Sequence, residues 1–307
     1  MLNITTEDII QNENTVIALG NFDGLHIGHQ RLIDELKKVS KEKNLTSVLF
    51  SFFPHTLTIL RDVSAHNLLT RSEKIYLLES MGIDVFIEYP FDKKLAALDP
   101  EDFVKEVLVK KMYCKVLIVG AGYRFGAEKK GTCDLLLELG KKYGIKVIVM
   151  EVISSKELKV SSSTIREYIY EKRFREAEKL LGRHYFVMGR VEQGKKIGRT
   201  IGFPTVNILP DISKLLPANG VYITKTHYKG FIYNSVTNIG VNPTVNGKIK
   251  TIETYMLEFE REIYGELIRI DFFKWIREEQ KFEDLEALKS RLRTDVLETK
   301  AFFGNCR

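Results

Sequence analysis

The sequence has 307 residues, 44% of them hydrophobic and 29% charged, so its length favours two domains, each with its own core. No apolar run approaches the roughly 18 residues of a membrane helix, and residues 1–14 lack the layout of a secretory signal, so we expect a soluble, cytoplasmic protein. The three widely spaced cysteines argue against a disulfide framework. The net charge of +6, taken alone, would suit an anionic partner.

Basic residues are spread along the chain and do not collect in one segment. Lysine pairs stand at residues 37–38, 110–111, 141–142 and 195–196, whereas a nucleic-acid footprint gathers its cations on one face. We therefore expect small-molecule partners, no nucleic acid and no membrane, with the oligomeric state left open. A basic nucleic-acid-binding protein on a nucleotide-fold scaffold is the alternative from a different class, and it predicts salt-sensitive retention on RNA or DNA.

The first half of the chain alternates short β-rich runs with helical patterns. Within the helical pattern at residues 30–43, Leu32, Ile33, Leu36 and Val39 form one apolar stripe. Such alternation predicts a parallel sheet with helices on both faces. The predicted strands are residues 15–20, 45–52, 83–89, 115–120 and 145–152.

The pattern changes near residue 183, after helical stretches at residues 162–170 and 173–181. The segment Tyr228-Lys229-Gly230 is typical of a hairpin turn, which pairs strands antiparallel. An amphipathic helix from residue 283 to about 302 would pack on that sheet or barrel. We therefore predict two domains, residues 1–183 and 184–307. The predicted strands of the second are residues 185–191, 221–228, 231–239, 251–259 and 267–273.

A segment rich in glycine and histidine, residues 20–29, follows the first predicted strand. In open parallel sheets, ligands bind where strands end and helices begin, because helix amides and the helix dipole converge there on anions. Its glycines let the backbone approach a phosphate, and His26 and His29, three apart, point the same way from a helix start. The pair would hydrogen-bond a nucleotide phosphate and stabilise developing charge. A buried structural histidine is one alternative, and a zinc site, with no evident third ligand, is another.

Two further polar or glycine-rich stretches, residues 120–126 and 161–166, also follow predicted strands. The serine run at 161–163 would cap a helix in any protein, which is the structural alternative. Its hydroxyls and amides, with Arg166 on the next turn, would equally hold a leaving pyrophosphate. Their position at the same edge of the sheet favours this second interpretation.

The second predicted domain opens with a glycine-rich, cationic loop at residues 189–203. Such a loop suits a polyphosphate, although its spacing differs from that of a Walker A loop. Thr205 and Asn207 are two apart, so on an extended strand they share one face. A hydroxyl and an amide oxygen are hard ligands that suit Mg²⁺. A glycine-rich turn followed by an ordinary edge strand is the structural alternative.

These segments resemble those of a known family. Residues 20–29 are similar to the His-x-Gly-His signature of the nucleotidylyltransferase superfamily, and residues 161–166 resemble its second signature, Ser-Ser-Thr-x-Ile-Arg. Residues 198–207 resemble the riboflavin kinase signature, with Val206 in place of the usual alanine. Further matches run to Tyr264-Gly265, so nearly the whole chain resembles the bacterial bifunctional riboflavin kinase/FAD synthetases.

The resemblance implies a Rossmann-like N-terminal domain that transfers AMP from ATP to FMN, and a small antiparallel C-terminal barrel with a terminal helix that phosphorylates riboflavin with ATP and Mg²⁺. For adenylylation it implies the catalytic groups His26, His29 and Arg166, and ATP contacts from Gly20, Asn21, Phe22, Asp23, Gly24, Gly28, Ser161, Ser162 and Ser163. For the kinase it implies Glu253 as base, Thr205 and Asn207 as metal ligands, and ATP contacts from Gly194, Lys195, Gly198, Arg199, Gly202, Thr205 and Asn207. The implied flavin contacts are His55, Arg124, Glu253 and Arg277.

Four positions in the first predicted domain depart from the family pattern, and one of them, Ser163 in place of the usual threonine, keeps the hydroxyl. Gly122 stands where the family usually carries Asp or Asn, and Phe53 and Thr56 replace the common Asp and Pro around His55. These changes leave one functional alternative open, an active riboflavin kinase with a degenerate N-terminal module. That alternative predicts FMN formation without FAD.

Overall fold

The structure is a computed structural model that describes residues 3–5, 14–53, 66–151, 154–155, 158–194, 197–244 and 247–304. The chain divides into two compact units, residues 1–162 and 163–307. The helices are α1 Ile27–Lys43, α2 Arg71–Met81, α3 Lys93–Ala96, α4 Pro100–Asp102, the π-helix Phe103–Lys111, the 3₁₀ turn Ala127–Lys129, α5 Cys133–Tyr143, α6 Ser162–Tyr170, α7 Phe174–Leu181, α8 Ile197–Thr200 and α9 Leu285–Gly304. The strands are β1 Asn3–Thr5, β2 Thr15–Leu19, β3 Thr46–Phe53, β4 Val85–Pro90, β5 Cys114–Gly120, β6 Lys146–Met150, β7 Ser154–Ser155, β8 Leu158–Lys159, β9 Tyr185–Glu192, β10 Val206–Ile208, β11 Gly220–Tyr228, β12 Phe231–Thr244, β13 Gly247–Met256 and β14 Leu267–Arg277.

The first unit is built on a parallel sheet with the strand order β1-β4-β3-β2-β5-β6. The predicted parallel sheet is therefore confirmed. Every residue of β2 is buried, as expected for a strand covered on both faces. Strand β1 was not predicted, because its three residues are too few to show a hydrophobic period.

A π-helix, Phe103–Lys111, precedes β5 in the first unit. The amide of Met112 donates to the carbonyl of Val107, five residues back, at 3.1 Å. Phe103, Val107 and Met112 are all buried, so the apolar stripe recurs every four to five residues. The ring of Phe103 lies 5.9 Å from that of Phe125. Helices of this kind are rare and occur frequently at functional sites.

The second unit is a closed antiparallel barrel with the strand order β10-β13-β12-β11-β14-β9. This confirms the predicted barrel, and Lys229 and Gly230, with φ of 47° and 84°, form the predicted hairpin turn between β11 and β12. Strand β10 pairs with both β13 and β9, so the segment after the glycine-rich loop is not an edge strand. Helix α9 packs on β12.

A chain of buried hydroxyl groups crosses three neighbouring strands of the barrel. Thr224 donates to the carbonyl of Ser235 at 3.1 Å and lies 2.7 Å from the hydroxyl of Thr237, which lies 2.9 Å from that of Thr254. Each hydroxyl has one proton, so Thr237 donates to Thr224 and Thr254 donates to Thr237. Each of the three hydroxyl groups thus has a hydrogen-bond partner, and the donors run from Thr254 through Thr237 to Thr224. This network fixes the register of β11, β12 and β13.

Candidate active sites

The loop between β2 and α1 adopts an unusual backbone conformation. Phe22, Gly24 and Leu25 have φ of 48°, 83° and 43°, and such conformations cost energy in residues other than glycine. Hydrogen bonds from outside the loop hold it: Ser51 Oγ donates to Asn21 O at 3.2 Å, and Gln30 Nε2 donates to Leu25 O at 2.8 Å. The surrounding structure therefore fixes the loop before any ligand binds.

Asp23 is the buried anchor of this loop, with 3% of its surface exposed. Its Oδ1 accepts hydrogen bonds from the amides of Leu68 at 2.9 Å and Leu69 at 3.3 Å. Its carbonyl accepts from Ser162 Oγ at 2.8 Å. The last contact brings a serine of the second predicted signature to the loop of the first.

His26 and His29 form a stacked pair at the start of α1. The ring centroids are 3.7 Å apart and the planes differ by 12°, while His26 Nδ1 caps the helix by accepting from the amide of His29 at 3.3 Å. A Cβ at Gly28 would lie only 3.1 Å from the His26 ring. Gly28 therefore leaves room for the imidazole of His26, and its expected approach to a phosphate stays a prediction.

His29 is held in its neutral form. Burial, and then the nearby His26 and Lys74, lower its pKa well below the usual value. Its buried Nδ1 has no hydrogen-bond partner among the described residues, and the fully buried ring of Phe22 lies 5.2 Å away. A buried polar atom without a partner is costly, so this nitrogen is poised to meet a ligand group.

The first unit also contains an aromatic cavity of about 300 Å³. Four phenylalanines line it together with Arg124 and Lys129, which supply positive charge. At its rim, Gly126, Glu128 and Lys129 all have left-handed φ, of 67°, 53° and 59°. Flat aromatic walls with a few polar groups suit a planar ring ligand that carries an anion. The four phenylalanines are Phe52, Phe91, Phe103 and Phe125.

A cavity of about 340 Å³ in the second unit joins the barrel to α9. Leu288, Leu292 and Val296, one face of that helix, form its apolar wall. Its polar lining includes Thr205, Asn238, Glu253 and Arg277. Three of these four were predicted as site residues, and the barrel brings them to one cavity.

Thr205 also lines a second cavity of about 360 Å³ in this unit. The second cavity is lined partly by Met256, Phe259 and Tyr264, which offer apolar and aromatic surface. Thr205 is therefore a residue that the linings of the two cavities share.

Asn207 lies opposite Glu253 in the register of β10 and β13. On the other side, a Cβ at Gly194 would collide with the Asn207 amide, so glycine is required at 194 for this close approach. Thr205, Asn207 and Glu253 present a hydroxyl, an amide and a carboxylate oxygen from adjacent positions. This donor set suits a hard cation such as Mg²⁺.

Arg277 reaches the same cavity but is held by a buried carboxylate. Its Nε and Nη2 lie 3.1 Å and 2.8 Å from the oxygens of Asp295, and Nη1 donates to Glu278 O at 3.1 Å. Asp295 is fully buried and also lies 3.1 Å from Arg291 Nη2. Arg277 thus ties the end of β14 to α9 as well as lining the cavity.

Replacing Asp295 with alanine should destabilise the second unit by about 3 kcal/mol, because two arginines lose their buried counter-charge. Chemical denaturation followed by the fluorescence of Trp275, the one tryptophan of the chain and a residue of β14, measures this effect. Glu298→Ala on the same helix is the matched control, since Glu298 lies 3.6 Å from Arg291 at the surface and should cost less than about 1 kcal/mol. Equal losses in the two variants would contradict the prediction.

The other predicted residues are distributed as follows. Ser161 is half-buried next to Ser162, while Ser163 and Arg166 lie on the first turns of α6, in the second unit. Gly202 is exposed with φ of 83°. His55, Thr56 and Lys195 lie outside the described residues, as does the side chain of Arg199. Gly122 and Phe53, which depart from the family pattern, are both exposed.

Four residues of these sites were missed from the sequence. Lys74 and Asp295 look like ordinary charges on amphipathic helices, and Phe103 looks like a core residue. Asn238 stands in the segment Asn238-Ile239-Gly240, but nothing local indicates that its buried Oδ1 lacks a partner among the described residues. Asn238 lies opposite Glu253 in the register of β12 and β13, and this pairing is seen only in the folded barrel.

No helix within the described ranges is long and apolar enough to cross a membrane.

Comparison with known proteins gives a consistent result over both units. The FAD synthetase family model matches residues 8–164 and the riboflavin kinase model matches residues 181–303. The proteins named bifunctional riboflavin kinase/FMN adenylyltransferase in Buchnera aphidicola and Bacillus subtilis are each 35% identical to this chain, covering 95% and 97% of it and 95% of either relative. A crystal structure described as a macrolide-efflux protein from Streptococcus pneumoniae has a TM-score of 0.87 at 28% identity, over 97% of this chain and 98% of that one.

Proposed function

This chain belongs to the family of bifunctional riboflavin kinase/FMN adenylyltransferases, and we propose that the cavities described above are the sites of its two reactions. It phosphorylates riboflavin to FMN with ATP, and it adenylylates FMN with a second ATP to give FAD and pyrophosphate. The kinase family model matches the barrel and the FAD synthetase model matches the parallel sheet. The paired presence of both modules favours the bifunctional enzyme over a kinase with a degenerate N-terminal module.

Thr205, shared by two cavities of the barrel, is the observation that carries the kinase assignment. We place riboflavin in the cavity that contains Glu253 and ATP in the neighbouring one, so that the ribityl hydroxyl and the γ-phosphate meet at this residue. Glu253 accepts the hydroxyl proton while the oxygen attacks phosphorus. The positioning of the two substrates then supplies most of the rate.

Thr205 and Asn207 would hold Mg²⁺, the metal we propose for the kinase. Their hydroxyl and amide oxygens are neutral hard donors, and the close approach of Gly194 fixes the Asn207 amide. When bound, Mg²⁺ would neutralise charge on the ATP phosphates. In this proposal Glu253 accepts the hydroxyl proton, and Arg277 lines the cavity that holds the flavin.

The adenylylation site is proposed to combine the aromatic cavity with the loop of the stacked histidines. FMN would insert its ring between the four phenylalanines, with its phosphate near Arg124. ATP would lie on the loop of residues 20–29, where neutral His29 and the capping His26 meet its phosphates. We propose that Ser161 and Ser162, the serines of the second signature that lie in this unit, contribute to the phosphate contacts.

Incubation of the pure protein with riboflavin and ATP, with Mg²⁺ or with a chelator, tests the proposal. Chromatographic separation of the flavins should show FMN first and FAD later, and the chelator should stop FMN formation. FMN without any FAD would favour the kinase-only alternative. Unchanged FMN formation in the chelator would overturn the Mg²⁺ assignment.

Replacing Arg124 with alanine should raise the KM for FMN in adenylylation about tenfold or more, because a charge-assisted contact to the phosphate is lost. Riboflavin phosphorylation should not change, since Arg124 lies in the first unit. Lys130→Ala is the matched control, because Lys130 is exposed, does not line the cavity and pairs with Glu128 at 3.0 Å. An unchanged KM for FMN would remove Arg124 from the site.

A further inference from the structure

Lys74 extends from α2 to the loop of the stacked histidines. Its Nζ donates a hydrogen bond to Asn21 O at 3.2 Å, the carbonyl that Ser51 Oγ also meets. Nζ lies 5.9 Å from the ring centroid of Phe86 and is close enough to influence His29 electrostatically. An amine from the second helix of the unit thus stands beside the proposed ATP site.

The carboxylates nearest to Lys74 are already engaged. Asp23 accepts the amides of Leu68 and Leu69, and the buried Glu88 lies 2.5 Å from Arg71 Nε. Among the described residues, Asn21 O is the one hydrogen-bond acceptor that Nζ meets. The ammonium therefore has further N–H groups, and it forms no ion pair within 4.0 Å in the described part of the chain, although Asp23 and Glu88 act on it electrostatically.

Burial lowers the pKa of Lys74, and the opposing influence of Asp23 and Glu88 only partly restores it. Lys74 is half-buried, and the partial removal of a cation from water without a close counter-charge is unfavourable. The arrival of a polyanion would relieve that cost. The charge of Lys74 also helps to lower the pKa of His29, so the two groups are close enough to interact electrostatically.

We propose that Lys74 binds the triphosphate of ATP during adenylylation and neutralises the departing pyrophosphate, a role that rests on the proposed function of this site. In that step an FMN phosphate oxygen forms a bond to the α-phosphorus of ATP. The bond from the α-phosphorus to the bridging oxygen breaks, and its electron pair leaves on pyrophosphate. Lys74 donates hydrogen bonds to that leaving group and keeps its own proton.

Three full-length variants test the proposal: Lys74→Met, Lys74→Arg and, as matched control, Lys38→Met. Lys38 is a lysine of α1 with 61% of its side chain exposed, and it lies 3.7 Å from Glu35. Lys74→Met should lower kcat/KM for ATP in FAD synthesis about 10- to 100-fold, the loss of a hydrogen bond to a charged group. The KM for FMN, riboflavin phosphorylation and every property of Lys38→Met should stay within about twofold.

Binding of inorganic pyrophosphate, measured by calorimetry on the full chain, gives a readout that needs no turnover. Lys74→Met should weaken it about tenfold, by loss of the same hydrogen bond, while Lys74→Arg should retain most of it. If the wild type formed no FAD, the proposed function would fail, and this measurement would still decide the role of Lys74.

The pH profile of adenylylation separates a charge effect from a packing effect. The ammonium form binds the phosphates, so activity should fall as the pH rises through the pKa of Lys74, which burial lowers and Asp23 and Glu88 partly restore. The other charged or titratable groups that face this region are Arg71, which pairs with Glu88, and His29. Lys74→Arg keeps its charge at all accessible pH values, so this alkaline fall should disappear.

Two results would overturn the proposal. One is unchanged pyrophosphate binding and unchanged kcat/KM for ATP in Lys74→Met. The other is an equal loss for ATP and FMN together with an unaltered alkaline limb in Lys74→Arg, which would show that Lys74 only supports the fold of the loop.

Discussion

Replacing Glu253 with glutamine should lower kcat for riboflavin phosphorylation by roughly 100- to 10,000-fold, the range that general-base catalysis contributes. Glutamine keeps the shape of the side chain in the cavity but cannot accept the hydroxyl proton. FMN supplied to the variant should still be converted to FAD, because adenylylation belongs to the first unit. Separate assays with riboflavin and with FMN measure the two activities.

Glu258→Gln is the matched control for this substitution. Glu258 follows β13, with 85% of its side chain exposed and 3.8 Å from Lys300, so its amide variant should phosphorylate riboflavin like the wild type. If Glu253→Gln formed FMN at the normal rate, another group would have to take the proton. Asn238 could not do so, because an amide is not a base at neutral pH.

Replacing His29 with alanine should produce the converse failure. FAD formation should fall about 100- to 1,000-fold, the usual effect of removing one donor aimed at developing charge. The neutral imidazole is stacked on His26, and its buried Nδ1 has no partner among the described residues, so its loss removes a ligand contact and leaves the helix cap in place. Riboflavin should therefore accumulate as FMN.

His66→Ala serves as the control for the histidine substitution, because His66 is exposed and lies outside the loop of residues 20–29. Mixing the Glu253→Gln and His29→Ala proteins should restore FAD synthesis from riboflavin, since FMN made by one protein can reach the other. Failure of this mixture to form FAD, with each protein keeping its remaining activity, would contradict the assignment of the two sites to separate units.

The order of the elements could be predicted from the sequence because strands and helices have their own hydrophobic periods. The run of buried residues in β2, and the hairpin at Lys229 and Gly230, follow from local residue patterns alone. The stacking of His26 on His29 also follows from their spacing at a helix start. These features depend on residues that are close together in the chain.

The missed residues depend on contacts that are distant in the chain. Lys74 reaches the loop from α2, and its hydrogen bond spans the 53 positions from Asn21. Asp295 holds Arg277 across 18 positions, and no periodic pattern encodes that pairing. The contact between Gly28 and the His26 ring depends in the same way on the folded loop, which shows the ring that a Cβ would meet.

The π-helix at Phe103–Lys111 makes the aromatic cavity sensitive to chain length as well as to residue identity. Each of its hydrogen bonds spans one more residue than in an α-helix. Deleting a single residue would let the ordinary ladder form again and would turn Phe103 by about 100° relative to the strand that follows. The hydrophobic core could repack after such a change, but one wall of the aromatic cavity, the proposed flavin pocket, would face elsewhere. Insertions and deletions at this point would therefore alter which ring systems the pocket accepts before they cost the protein its fold.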